Sequence, residues 1–154
     1  MKDAIRDELL RALREALAIA EAAYAAAIEG ATHGEAKPEN DKDTRALEQS
    51  YVARGQAMRV DELRTGVADV EKMSLGAAKV IASGALVTVE DDDGDTRRYF
   101  VAPAGGGTAL ARGKVQVVTP KSPLGRALCG KRVDDETEVA IAGATRTLTI
   151  TRVE

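Results

Sequence analysis

Aromatic side chains are scarce in this chain, which has no tryptophan, one phenylalanine and three tyrosines among 154 residues. A base-stacking platform or an aromatic-walled pocket needs several exposed rings, so neither is supported. Cysteine is nearly missing as well. Cys129 stands alone, which excludes an intramolecular disulfide framework and a cysteine-rich zinc site, and points to a reducing compartment or to indifference to redox. His33 is the single histidine, so multi-histidine metal centres and a Ser-His-Asp triad elsewhere in the chain are ruled out. Neither sign of charge dominates. The net charge of −3 creates no global positive field that would draw the protein onto bare nucleic acid or an acidic membrane. Long apolar runs are missing too, because Asp3, Arg6, Asp7, Glu8, Arg11, Arg14 and Glu15 interrupt the N-terminal stretch. A signal peptide needs an uninterrupted apolar core and a membrane span needs roughly twenty apolar residues. A cytoplasmic protein without membrane contact is therefore expected, and a monomer is the expected state, though nothing in the sequence fixes the state of the free protein.

The 44% apolar content comes largely from alanine and is distributed in two distinct patterns. The length suits one compact domain, or a small domain carrying an extended element. In the first half Leu10, Leu17, Tyr24 and Ala31 recur every seven residues with Leu13, Ala20 and Ala27 between them, which is the seam of a coiled coil. A helix is predicted from Lys2 to Glu29, with Gly30 as its stop and a turn over Thr32 to Asp43. Ala46, Ala53, Val60 and Val67, interleaved with Gln56, Leu63 and Val70, form a second seam that ends near Met73. Asn40 is the expected cap of that helix, because a short polar side chain satisfies free amides of the first turn. Two seams joined by a short turn predict an antiparallel helical hairpin over residues 1–74, with an acidic tip near 32–43 and arms on the order of 45 Å. Dimerisation through the same heptads is the plainer alternative.

From residue 75 to 154 the period changes to two. Ala85 to Val89 alternates as a strand, DDDGD supplies a turn, and RRYFV resumes the strand as a hairpin. Further strands are predicted at Lys114–Val118, Thr137–Ile141 and Thr145–Val153. Between them, Ser122 caps a short helix, Pro123 occupies its first position and Gly130 ends it. A small twisted sheet with one short helix, behind a helical hairpin, makes an α+β protein.

Some runs imitate functional motifs. Asp91, Asp92, Asp93 and Asp95 suggest calcium, but an EF-hand needs flanking helices and a glutamate at its twelfth position, so a solvated hairpin tip is expected. GGGTALARGK lacks the phosphate-loop order, with Val115 following Lys114 where Ser or Thr is required. Cys129 is expected to pack as a small core residue, and Tyr51 and Arg54 to be explained by the seam and by solvation.

The segment SPLGRALCGKRVDDETEV, following a helical hairpin, resembles the bacterial Gre transcript-cleavage factors. Ser122 through Lys131 meets the family's Ser-Pro-Leu-Gly-(Lys/Arg)-Ala-Leu-x-Gly-Lys string, and Asp134, Asp135 and Glu136 meet its acidic turn. The resemblance implies an FKBP-like fold for the second domain. It also implies that this domain docks on a coiled coil at the rim of the secondary channel of RNA polymerase, through Ser122, Pro123, Leu124, Gly125 and Arg126. The hairpin would then enter the channel and approach the nascent RNA 3′ end. The family's tip motif Gly-Asp-Leu-Lys-Glu-Asn is met by Gly34, Glu35, Ala36, Lys37, an extra Pro38, Glu39 and Asn40.

Glu35 and Glu39 would thus help hold Mg2+ at the polymerase active site, with Asp43 in reserve; the chain needs no cofactor of its own. Activity would belong to the polymerase's nuclease, which the factor stimulates. Pro38 widens the spacing of the two acids and disfavours helix at Lys37. A channel-binding regulator that modulates or inhibits the polymerase without cleavage is the alternative. Solvation of the loop and capping of the second helix remain a third account of the tip acids. Prolyl isomerase activity, suggested by the FKBP-like fold alone, needs an aromatic groove that Tyr99 and Phe100 cannot build.

Overall fold

In the computed structural model the described residues are 1–35 and 40–154, with side chains described outside 31–43 and 46. The order of elements is α1 (Lys2–Glu35), α2 (Asn40–Lys72), β1 (Leu86–Glu90), β2 (Thr96–Val101), β3 (Ala109–Leu110), β4 (Val115–Val118), α3 (Pro123–Leu128), β5 (Glu136–Ile141) and β6 (Ala144–Val153). The expected class, a helical hairpin followed by a small mixed sheet, is the one observed. Residues Ala12–Val67 form one compact unit. Met1–Arg11 and Ala68–Glu154 form the other, so the first turns of α1 and the end of α2 belong with the sheet.

In the hairpin unit the helices run antiparallel, with Arg64 paired to Glu21 at 3.5 Å and Gly30 beside Gln49. The heptad positions face inward as their period requires: Leu13 and Ala20 of α1 are buried, as are Ala53, Val60 and Leu63 of α2. Tyr24 departs from the seam, with 36% of its surface exposed. Gly30 does not stop α1, which continues to Glu35. A single internal glycine costs only about 1 kcal/mol. Here a Cβ would lie 3.7 Å from the Gln49 amide, so α2 closes over the position and packing outweighs propensity.

The sheet is six-stranded, in the order β3-β4-β2-β1-β6-β5. Its pairs are antiparallel except β2 with β4, which run parallel in the register Tyr99↔Gln116 to Val101↔Val118. Alternation sends Val87, Val89, Tyr99, Val101, Val118, Leu148 and Ile150 to one face, where they form a core with Ile81 and Leu128. Leu86, Phe100 and Val117, one position along, are also fully buried. The second layer is supplied by the base of the hairpin, where Ile5, Leu9, Val70 and Met73 are buried. Lys2 Nζ donates to the Gly76 carbonyl at 2.9 Å, and the Glu8 carboxylate accepts from the Ala111 amide at 3.0 Å.

Two features of the sheet differ from expectation. The strand β3 was not foreseen, because a two-residue strand carries no alternation. The acidic turn is solvated at Asp92, Asp93 and Asp95 as expected, but Asp91 is turned inward. Asp91 is 8% exposed, and its Oδ1 accepts from the Asp93 and Asp95 amides at 3.0 Å each. Arg146 closes over the turn, 2.8 Å from Asp93 and 3.9 Å from Asp91, and hydrogen bonding to Asp93 raises its already high pKa. Among the described residues no helix is long and apolar enough to cross a membrane.

Candidate docking surface and hairpin tip

The segment after β4 is fixed by one carbonyl and one hydroxyl. The Thr119 carbonyl accepts from the Ser122 amide at 3.1 Å and from Ser122 Oγ at 2.8 Å. That same Oγ accepts from the Gly125 amide at 3.0 Å, so Ser122 caps α3 as its sequence position predicts. Pro123 sits at the first helical position, where its missing N–H costs nothing. Gly125 is buried, and a Cβ built on it would collide with the Thr119 carbonyl oxygen. Only glycine permits the helix to lie this close to the strand end. Leu128 is fully buried in the core.

Past α3, the Gly130 amide donates to the Ile81 carbonyl and the Ile81 amide to the Lys131 carbonyl, both at 2.9 Å. Gly130 has φ +85, the left-handed conformation typical just beyond a helix end, while Cys129 serves as the cap itself. Cys129 is half-buried against the core rather than enclosed, and burial pushes its thiol pKa up. The acidic turn that follows is equally constrained. Asp135 Oδ2 accepts from the Arg132 amide at 2.8 Å, and the amide of Asp134, at φ 71, donates to the Ile150 carbonyl.

This framework sorts the predicted docking residues. Ser122, Pro123 and Leu124 line a shallow, largely apolar depression of about 390 Å³, shared with Thr119 and with Ile141 and Ala142 of the β5–β6 turn. Gly125 lies beneath it as a spacer, and Arg126 is exposed outside it. The small residues of AGAT mark the β5–β6 turn in the sequence, but no local signal places that turn beside α3. Tyr99 and Phe100 are 2% and 0% exposed, so neither can wall a groove for a prolyl substrate.

At the tip, Glu35 is the last residue of α1 and Asp43 falls in the first turn of α2. Glu39 lies outside the described residues, as do the side chains of Glu35, Asp43 and His33. Farther along α2, Tyr51 is 58% exposed with the Arg54 guanidinium 5.9 Å from its ring centre, so both are outside the seam.

The family described as "Transcription elongation factor, GreA/GreB, C-term" matches residues 76–154, the whole sheet domain with α3. The transcription elongation factor GreA of Hyphomonas neptunium is 33% identical over 131 residues, covering 84% of this chain and 79% of the relative. This chain belongs to the GreA/GreB family. GreA of Sphingopyxis alaskensis is 39% identical over 74 residues, 48% of this chain and 44% of the relative. The solved structure of GreA factor homolog 1 from Thermus thermophilus aligns over 98% of this chain and 95% of its own, at 20% identity and a TM-score of 0.43. As a Gre-family chain, the protein presents its capped α3 segment within the matched domain, while the Hyphomonas alignment is too long to leave out the hairpin.

Proposed function

We propose that this chain is a transcription elongation factor that binds RNA polymerase at its secondary channel and stimulates cleavage of backtracked RNA. The observation that carries the reading is family membership, combined with two acidic residues, Glu35 and Glu39, that stand in the sequence where the family's tip motif has its acids. The sheet domain docks on the coiled coil at the channel rim, through Ser122, Pro123, Leu124 and Arg126, with Gly125 holding the helix in place. Rigid presentation supports this role: the hydroxyl cap and the buried glycine leave α3 little freedom, so little ordering entropy is lost on binding. The protein acts as a monomer in the cytoplasm.

At the tip the donor set suits a hard cation. Carboxylate oxygens are the ligands Mg2+ accepts, and it commonly takes only one or two of them, keeping water for the rest. When bound in the polymerase site, such an ion would lower the pKa of its water so that hydroxide could attack the RNA phosphodiester. Glu35 and Glu39 lend oxygen ligands to that ion and orient it. They make no nuclease by themselves.

Docking is tested by Pro123→Glu with Arg126→Glu, both exposed positions, in a polymerase-binding titration. About tenfold weaker binding with unchanged circular dichroism is expected. Unchanged affinity would move docking out of this segment. Pro38, inserted between the tip acids, favours a second reading in which the factor occupies the channel without promoting cleavage. Competition with an active Gre factor in the absence of any cleavage stimulation would select it.

A further inference from the structure

On the sheet, β4 accompanies β2 only from Tyr99 onward. The first half of β2, Thr96 to Arg98, therefore has β1 on one side and no strand on the other. Where β4 would continue, the chain turns away through Ala111, Arg112 and Gly113 at φ 52, 57 and 82. Two consecutive non-glycine residues in the left-handed region store strain, and the turn is held by the Ala111 amide on Glu8. The divergence opens a cleft of about 470 Å³ lined by Thr88, Thr96, Arg97, Arg98, Lys114 and Gln116 among others. Arg98 is engaged by Glu154 at 3.7 Å. Arg97 and Lys114 are exposed and have no carboxylate partner among the described residues. A protein of net charge −3 has thus gathered positive charge along one open strand edge.

We propose that this cleft binds an extended acidic peptide segment of a partner protein, laid along the free half of β2. Two features select peptide over nucleic acid. The ladder alternates, with the Val101 amide on Ala85 and the Ala102 amide on Val118, so the backbone groups of Thr96 point away from β1 into the cleft. An extended peptide backbone offers an N–H and a C=O at the spacing of such groups, as in strand addition, whereas a nucleic-acid strand carries no donor–acceptor pair repeated at that spacing. The cleft also lacks an exposed aromatic on which bases would stack, since Tyr99 beside it is 2% exposed. Carboxylates at alternate positions of the segment meet the Arg97 guanidinium and the Lys114 ammonium from one side. This surface meets the α3 depression only at Gln116, and the proposal does not depend on the polymerase reading.

The test titrates the full-length native protein at low salt with a fluorescent (Glu-Thr)4 peptide, with a (Lys-Thr)4 peptide and with a twelve-nucleotide RNA. Saturable binding of the acidic peptide alone is expected, about tenfold weaker in Arg97→Glu with Lys114→Glu and weakened by added salt. In the native protein, hydrogen exchange at the Thr96 amide should slow when the peptide is bound, a readout that requires no variant. Preference for RNA, or acidic-peptide binding that neither protects Thr96 nor responds to the two substitutions, would overturn the proposal. So would no binding of the acidic peptide at any concentration reached.

Discussion

Replacing Gly125 with alanine should be among the most damaging single-methyl changes in the sheet domain. The added Cβ would collide with the Thr119 carbonyl oxygen, and it would stand 2.6 Å from the Thr119 carbonyl carbon and 3.0 Å from Ser122 Oγ. These obstacles are backbone and a capping hydroxyl, so α3 itself must move. Overpacking of this kind costs about 1–3 kcal/mol, and displacing the Gly125 amide from Ser122 Oγ forfeits a cap worth about 1 kcal/mol. The expected loss is about 2–4 kcal/mol, read as a lower midpoint in urea at unchanged slope. Gly55→Ala in α2 is the matched control. Nothing lies within 4 Å of a Cβ there, so helix propensity alone acts and stability should rise by about 0.5–1 kcal/mol. If Gly125→Ala lies within about 0.5 kcal/mol of the native protein, the close approach of α3 to Thr119 is wrong and the rigid docking segment with it.

Other perturbations follow from single contacts. Ser122→Ala should cost about 1 kcal/mol by urea titration and Ser122→Gly only a few tenths, the usual order at a helix N-cap. Asp91→Ala strands the amides of Asp93 and Asp95 and should cost about 1–3 kcal/mol, whereas Asp93→Ala removes an exposed ion pair and should cost less than about 1 kcal/mol. Since burial raises the pKa of Cys129, its thiol stays protonated to higher pH than a free cysteine; alkylation near neutral pH should be slower than in the urea-unfolded chain and accelerate only above the free-thiol range. The sign for stability follows: the folded pKa exceeds the unfolded one, so the contribution is complete below the unfolded pKa and declines as pH rises through the folded pKa, which a stability profile on the alkaline side would show.

The sequence disclosed those elements whose local signal and tertiary role agree. Val60, Leu63 and Val70 bury because a heptad that repeats in two arms has one way to hide both stripes, and Ser122 caps because Pro123 and Gly125 leave no alternative start for α3. Failures came where tertiary contacts outvote local preference. Gly30 stays helical against α2, and Asp91, one of an acidic run, is turned inward by two amides and Arg146. The left-handed Ala111 and Arg112 give no warning, because alanine and arginine are poor markers of such turns. Nor does any motif announce that Glu8, in a coiled-coil arm, will hold Ala111 of the sheet domain, a pairing of residues 103 apart in sequence. At the tip, Glu35 and Glu39 are singled out only by the family motif and Asp43 only by its nearness to them in sequence, since carboxylates near a helix start equally serve as solvation or caps.

The central claim is that the tip carboxylates complete a metal site in the polymerase, and RNA cleavage by a backtracked elongation complex measures it directly. The native protein should accelerate cleavage, and Glu35→Ala with Glu39→Ala should abolish the acceleration while polymerase affinity stays nearly intact, because carboxylates add little to binding until a desolvated ion is present. Raising Mg2+ should partly rescue a single substitution, and deleting Pro38 should preserve or increase activity. Native protein that stimulates no cleavage at any Mg2+ concentration, yet displaces an active Gre factor from the polymerase, would contradict the claim.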